Sequence, residues 1–362
     1  MRVAVDLRCL LEPFESGVTI YTKAMVDEFL KIPDLELDLF YQARERCVAV
    51  HRLYPQVRHL ALSNTVFHLR SLFRFPALPA NYFLQEPDLI WLPDRRPFYR
   101  TTIPVVLTVH DRVPEKWRST LSLKGRLWHR LFSLRRLQAF CSGLLFPSLT
   151  VAQSVRTRLP WEVTYEGAQL AKAMVKPKGV PMGNFVLSLA PLDPRKRLSW
   201  TFASARRFPK VSFVCAGLKK QDSRFSRLRV PDLPNLYSLA SVTEEEKKWL
   251  LKNATALLAL SAYEGFDLPV LEAISAKIPV ILSDISVHRE LYKNAVFVSD
   301  QSELQAALYS ALQGDGKIPQ LRGDYSWKKA ADRALLFFFR VLLHKDRNRG
   351  GDRHGHDHSH NA

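Results

Sequence analysis

Two glutamates eight residues apart, Glu264 and Glu272, stand where an apolar run hands over to a helix in LLALSAYEGFDLPVLEAISAKIPVILSD, residues 257–284. The runs LLALS and IPVILSD read as buried parallel strands. In open α/β sheets ligands bind beyond the carboxyl ends of such strands, where loops pass into helices. Carboxylates placed there can accept paired hydroxyls, as on a ribose, while free helix amides suit phosphate. Gly265 lets the backbone come close to a ligand, and Pro269 suits a first helical turn, which would place Glu272 in that turn near the N-terminal amides. On spacing alone the plainer reading is equally open: Glu272 an acid favoured by the helix dipole, Glu264 a solvated loop residue. The basic run PRKR at 194–197 reads, out of context, as a solvated loop, and His110 at the end of VVLTVHD as a satisfied strand-end histidine.

The elements that would position these residues form two series. RVAVDL, LELDLFY, VRHLAL, LIWLPD, VVLTVHD and GLLFPS are short apolar runs, several continuous enough for strands covered on both faces. TIYTKAMVDEFLKI follows the first of them as a helix with Ile20, Met25, Phe29 and Ile32 along one face. After VTYEG the pattern weakens into AQLAKAMVKPKGVPMGN, read as a linker over 166–183. NFVLSLAP, VSFVCAG, NLYSLAS, ALLALSA, PVILSD and AVFVSD then make a second series, with Thr243 and Glu246 at capping-box spacing opening a helix between them. The expected fold class is α/β: two doubly wound Rossmann-like domains, 1–165 and 184–325, facing across a cleft. A closing helix is expected over 326–343 and a disordered His-rich tail over 344–362. The tail's His354, His356, His358 and His360 lack a folded frame for metal binding and carry no catalytic role.

The chain has 362 residues, with 53 Lys+Arg against 35 Asp+Glu and a formal net charge of +18. Such a field favours polyanions without choosing among nucleic acid, anionic lipid and phosphorylated small molecules. Residues 1–180 hold 26 basic and 16 acidic side chains and the remainder 27 and 19, so the excess is no separate tail. No helix-turn-helix, zinc-finger or RNP-like motif supports nucleic-acid binding, and none is expected. The opening MRVAVDLRCLL is a strand-like alternation, so no signal peptide is expected, and no apolar run approaches bilayer length. Cys9, Cys47, Cys141 and Cys215 are scattered without metal-ligand spacing, as suits buried thiols in a reducing cytoplasm.

YEGFDLPVLEAISAKIPVILSDISVHREL resembles the signature of the retaining GT-B glycosyltransferases of the family 4 type, the glycosyl transferases group 1. LSLAPLDPRKRLSWTFASARRFP, PNLYSLASVTEEEKKWLLKNATALLALS, MRVAVDLRCLLEPFESGVTIYTKAMV, VVLTVHD and YSWKKAADRAL resemble further segments of that family in order, over nearly all of residues 1–343. The resemblance implies transfer of a sugar from a nucleotide-sugar donor (UDP-, GDP- or ADP-linked) to an acceptor hydroxyl with retention. It implies that Arg195 and Lys196 clamp the donor diphosphate and that Glu272 holds the ribose hydroxyls. Glu264 would bind hydroxyls of the transferred sugar, with backbone amides around Phe266, Asp267 and Leu268 and glycine at Gly265. His110 would reach the sugar from the opposite domain, and Gly17 would let the backbone pass near diphosphate or acceptor. No obligatory metal or cofactor is implied, and no Asp-x-Asp motif occurs; the acids of DLELD at 34–38 read as the solvent face of a strand. A double displacement would need a carboxylate nucleophile that the sequence does not single out. A front-face route, in which the departing phosphate takes the acceptor proton, is what the resemblance favours.

Ala190, Ala240, Thr19 and Asp267 stand where the family commonly has glycine. A carboxylate at 267 would repel a diphosphate unless turned away, though it could also accept a sugar hydroxyl. These departures keep a second reading in play, a catalytically silent GT-B-like binding or scaffold subunit. The implied partners are a nucleotide-sugar and a glycan or lipid-linked acceptor, in cell-surface polysaccharide or glycolipid synthesis. KWRSTLSLKGRLWHRLFSLRRLQAF (116–140) interleaves basic and apolar residues, with Leu127, Leu131 and Leu134 as one stripe, and VFHLRSLFRFPALP (66–79) is similar. Such stretches can lie peripherally on an anionic membrane, as a cytoplasmic protein would at its inner face, and an ordinary core helix with snorkelling arginines is the reading open beside it.

Overall fold

The computed structural model describes residues 1–12, 15–61, 83, 85–98, 101–218 and 228–351; the 66–79 stretch and the histidines from His354 onward lie outside them. The first sheet is β1 (Arg2–Asp6), β2 (Glu36–Ala43), β3 (Arg58–Ala61), β4 (Leu89–Leu92), β5 (Val105–Thr108), β6 (Gly143–Phe146) and β7 (Trp161–Val163). Its order is β3-β2-β1-β4-β5-β6-β7, and every pairing is parallel. LIWL, VVLT and GLLF are buried along their whole length, which is why they read as unbroken apolar runs.

The second sheet repeats the plan with β8 (Phe185–Leu189), β9 (Ser212–Ala216), β10 (Leu236–Leu239), β11 (Ala254–Ala259), β12 (Val280–Ser283) and, beyond a short β13 (Tyr292–Lys293), β14 (Val296–Val298). The order is β10-β9-β8-β11-β12-β14, again parallel throughout. Each sheet reverses its winding once, between β1 and β4 and between β8 and β11, and crevices for ligands open at such points. β13 pairs antiparallel with β15 (Gln320–Leu321). That pair and β7 are not among the apolar runs read from the sequence; a two-residue strand carries no readable period, and WEV holds a glutamate between its apolar residues.

Three local expectations change. In the helix Gly17–Phe29 the buried face is Tyr21, Thr22, Met25, Val26 and Phe29, while Ile20 is only half-buried and Ile32 lies past the helix end. The expected Leu127–Leu131–Leu134 stripe does not exist. The helix Leu123–Leu131 ends at Phe132, Ser133 starts a new helix Leu134–Gln138, and a period carried across that break has no meaning. Leu134 is buried, whereas Leu123 and Leu127 are 72% and 57% exposed, so this is no core helix. The last helix, Trp327–Gly351, runs past the expected end at 343, so the tail does not begin at His344. The segment HKDRNRGG simply continues its hydrogen-bonded ladder.

That last helix follows the second sheet in sequence but packs on the first. Gly143 in β6 has no side chain because the Phe337 ring lies where one would go, 2.7 Å from an ideal Cβ. Phe338 meets Phe29, and Arg333 donates to the Val163 carbonyl at 3.2 Å. One apolar cluster therefore runs from Val3 and Trp91 through Phe337 and Phe338 to Leu257 and Val280, joining the two sheets. Thr243 and Glu246 form the reciprocal cap foreseen for the helix Glu244–Asn253.

Phe337→Ala empties a fully buried aromatic site and is expected to lower the unfolding free energy by about 3–5 kcal/mol. Urea titration checks this, and an unchanged midpoint would mean the helix is not part of that core.

Candidate active site

The switch point of the second sheet brings PRKR and the glutamate loop together. The chain leaves β8 into Asp193, whose carboxylate accepts the Arg195 N–H at 2.8 Å and fixes a single tight turn over Pro194–Lys196. The Arg195 carbonyl in turn accepts from Ala262 N at 2.7 Å, stitching this turn to the loop leaving β11. Arg195 Nη1 donates to the Tyr263 carbonyl at 2.8 Å and to Glu264 Oε2 at 3.0 Å, and Lys196 Nζ donates to Glu264 Oε1 at 2.5 Å. PRKR is thus no solvated loop. Glu264 is buried, and burial alone would raise its carboxyl; Lys196 and Arg195 outweigh that and hold it at about 2. The Arg195 Nε–H is buried with no hydrogen-bond partner among the described residues.

Glu272 requires a correction. Its helix, Leu268–Ala276, begins after Asp267 with Pro269 second, so Glu272 is the fifth helical residue and opens the second turn. It is buried, and Lys247 of the helix Glu244–Asn253 donates to its Oε1 at 2.7 Å. Burial pushes its carboxyl up, with Lys247 pulling the other way. Glu272 Oε2 is buried with no hydrogen-bond partner among the described residues. The Phe266 and Leu268 side chains are also buried, so that segment offers a ligand only its backbone. Asp267 occupies the left-handed region at φ 79°, which costs a non-glycine residue roughly 1–2 kcal/mol. Its carboxylate is turned aside: Oδ2 lies 3.0 Å from His288 Nε2, and His288 Nδ1 lies 2.8 Å from the Ser283 carbonyl oxygen.

The first domain meets this loop directly. An ideal Cβ on Gly265 would lie 2.0 Å from the His110 carbonyl oxygen, so what this glycine admits is the opposite domain's backbone. Ser148 Oγ donates to the Gly265 carbonyl at 2.7 Å, and Tyr263 Oη accepts from Arg112 N at 3.0 Å. The Glu290 carboxylate accepts from Leu149 N and Thr150 N, each at 2.7 Å. The His110 ring is engaged within its own domain: Nε2 donates to the Pro93 carbonyl at 2.8 Å, and Nδ1 faces buried Glu166 at 3.7 Å. Burial opposes charge on His110, but Glu166 and Asp94 outweigh it and hold its pKa above the ordinary value. Beside His110 a cavity of about 400 Å³ opens, bounded by Asp94, Asp111 and Trp128 among others.

Gly17 is the exposed first residue of its helix, and a Cβ there would meet nothing within 4 Å. Thr19 belongs not to a loop but to the first turn of that helix, in a reciprocal cap with Ser16. Arg195, Lys196, Glu264 and Gly265 are brought together, Asp267 and Glu272 flank them, and His110 abuts them through its backbone. Sequence reading missed Lys247, Glu166, His288, Tyr263, Ser148 and Glu290, all defined by partners distant in the chain. Among the described residues no group of three or more His, Cys, Asp or Glu is placed to hold a metal ion.

Glu264→Gln leaves two nearly buried cations without their carboxylate and is expected to cost about 3–5 kcal/mol near neutral pH. Because the folded carboxyl is depressed, its stabilisation is present above about 4.5 and is lost as the pH falls toward about 2. The stability gap between wild type and variant should therefore narrow between pH 4.5 and 2.5, followed by urea unfolding; a gap that does not change with pH would refute this pairing.

The family described as "Glycosyl transferases group 1" matches residues 172–321. O-antigen chain mannosyltransferase B of Escherichia coli is 30% identical over 107 residues, a stretch spanning 27% of this chain and only 28% of that relative. Sucrose-phosphate synthase of Thermosynechococcus elongatus shares the fold with a TM-score of 0.62 at 13% identity, over 97% of this chain and 98% of that one. The Anabaena protein Alr3699/HepE, solved with UDP and glucose, does so with a TM-score of 0.59 at 13% identity, over 97% and 99%. Residues 172–321 thus match the model of the glycosyl transferases group 1, within a chain whose two parallel sheets form the GT-B fold.

Proposed function

We propose that this protein transfers a sugar from a nucleotide-sugar donor to an acceptor hydroxyl with retention, in the assembly of a cell-surface polysaccharide or glycolipid. The observation that carries the reading is a pair of groups at one switch point that have no hydrogen-bond partner among the described residues: a buried guanidinium N–H on Arg195 and a buried carboxylate oxygen on Glu272. A donor diphosphate matches the first and a ribose hydroxyl the second. The UDP held by Alr3699/HepE supports a nucleotide ligand for this fold. Arg195 and Lys196 then stabilise the charge growing on the departing phosphate, and sharing them with that phosphate releases Glu264 to accept hydroxyls of the moving sugar. In a front-face reaction the same phosphate takes the acceptor's proton as the new glycosidic bond forms. His110 holds the wall opposite through Pro93 and Glu166 and meets the sugar once its ring leaves that carbonyl.

Release of free nucleotide from UDP-, GDP- and ADP-sugars tests the reading without knowledge of the acceptor. One donor should be turned over by wild type. Glu272→Ala should slow it by about 10- to 100-fold, the worth of one charge-assisted hydrogen bond, and Lys196→Ala by about 100-fold or more. No turnover, with no thermal stabilisation by any of the three nucleotides, would favour the silent scaffold.

A lipid-linked acceptor fits the helix Leu123–Leu131, whose exposed Leu123 and Leu127 stand among exposed Lys124 and Arg130. No helix among the described residues is long and apolar enough to cross a membrane, and the contact proposed is peripheral. The protein should float with anionic vesicles at low salt and lose this with Leu123→Glu/Leu127→Glu; wild type remaining in the soluble fraction would end the membrane proposal.

A further inference from the structure

Resting on that reading, we infer that His288 is a positioning residue for the donor site: it holds the Asp267 carboxylate away from the loop that takes the diphosphate. Without it, that carboxylate occupies the anion's place. Asp267 stands immediately before the first residue of the helix Leu268–Ala276. An aspartate there ordinarily turns its carboxylate onto the amides of the first helical turn, which lack intrahelical acceptors. Asp267 does not. Its side chain makes no capping bond, Pro269 has no N–H to offer, and Val270 N donates to the Asp267 carbonyl at 3.1 Å. The amides of Phe266, Asp267 and Leu268 donate to no described residue. In sequence they stand between Glu264, clasped by Arg195 and Lys196, and Glu272. Glu272 is only 4% exposed, and its Oε2 has no hydrogen-bond partner among the described residues.

What diverts the carboxylate is a fixed imidazole. The Asp267 side chain is 5% exposed, and its Oδ2 lies 3.0 Å from His288 Nε2. The His288 side chain is fully buried on the helix Ser286–Leu291, with Nδ1 2.8 Å from the Ser283 carbonyl oxygen. Ser283 ends β12, and its Oγ donates to the Ser261 carbonyl at 2.6 Å, so the strand end that seats the ring is itself tied to the loop leaving β11. One ring nitrogen is thereby spent on the scaffold and the other faces Asp267. The charge so placed is close to the ligand groups: burial is the chief reason the Glu272 carboxyl stands high, and Asp267 adds to it. A carboxylate released here would compete with a diphosphate twice, by taking its amides and by repelling its charge. His288 prevents both, and Asp267 keeps its left-handed φ of 79° in that arrangement.

The test is isothermal titration of UDP, GDP and ADP into the full chain, continued with whichever binds. His288→Leu fills the same space without a polar nitrogen and should weaken binding about tenfold or more. His288→Gln, whose amide can still donate to a carboxylate, should stay within about threefold of wild type. Asp267→Gly in the His288→Leu background keeps the backbone amide and removes the carboxylate, and should restore binding to within about threefold. A histidine needed only for packing would show no such rescue. Unchanged affinity in His288→Leu, or no rescue by Asp267→Gly, would overturn the inference. If His288→Leu does not fold, Asp267→Gly alone decides: binding as tight as wild type or tighter supports the inference, and weaker binding overturns it. A wild type that binds none of the three nucleotides would end the donor reading and this inference together. Wild-type binding with an inert His288→Leu would end the inference alone.

Discussion

The Glu264 carboxylate between Arg195 and Lys196 is the interaction on which the site depends. All three groups are largely withdrawn from water, and buried charges persist only when matched and hydrogen-bonded. The tight turn capped by Asp193, its tie to Ala262 and the short loop out of β11 are the backbone means of achieving that match. The pairing satisfies Glu264 and leaves Arg195 Nε without a hydrogen-bond partner among the described residues.

A second constraint is the closeness of the two sheets. Parallel sheets that reverse winding once open a crevice at that point, and here the crevices face each other. Gly265 against His110, Ser148 on Gly265 and Glu290 on the amides of Leu149 and Thr150 fix how near they come. The closing helix adds an apolar tie, since it follows the second sheet in sequence yet packs on the first through Phe337 and Phe338. Groups from one domain can thus act on a ligand held by the other without a long loop to carry them.

The large positive charge works differently inside and outside. Along the helix Leu123–Leu131 basic residues stand exposed beside two exposed leucines, a surface suited to anionic lipid. At the cleft the arginines are tied to carboxylates within a few ångströms, so the net charge says little about the ligand bound there. Asp267 belongs to the same pattern: its carboxylate, in a glycine-like backbone conformation, is held against His288.

Much of this was legible in the residues. Unbroken apolar runs such as VVLT and GLLF mark strands covered on both faces, and Thr243 with Glu246 marks a helix start, because these depend on burial and on contacts within a turn. The glutamate loop was legible as a candidate site because ligands bind at strand-to-helix handovers in open α/β sheets. What the tertiary structure alone decided is which partner each charge takes. Lys196 reaches Glu264 and Lys247 reaches Glu272 across 68 and 25 residues, pairings set by how the sheets stack and carrying no local signature. The same holds for Gly265, which serves the approach of the opposite domain, and for Glu272, set one turn deeper by where its helix starts. Local pattern determines the elements, because short-range contacts are periodic in sequence; the charges' partners are set by long-range packing, which is not.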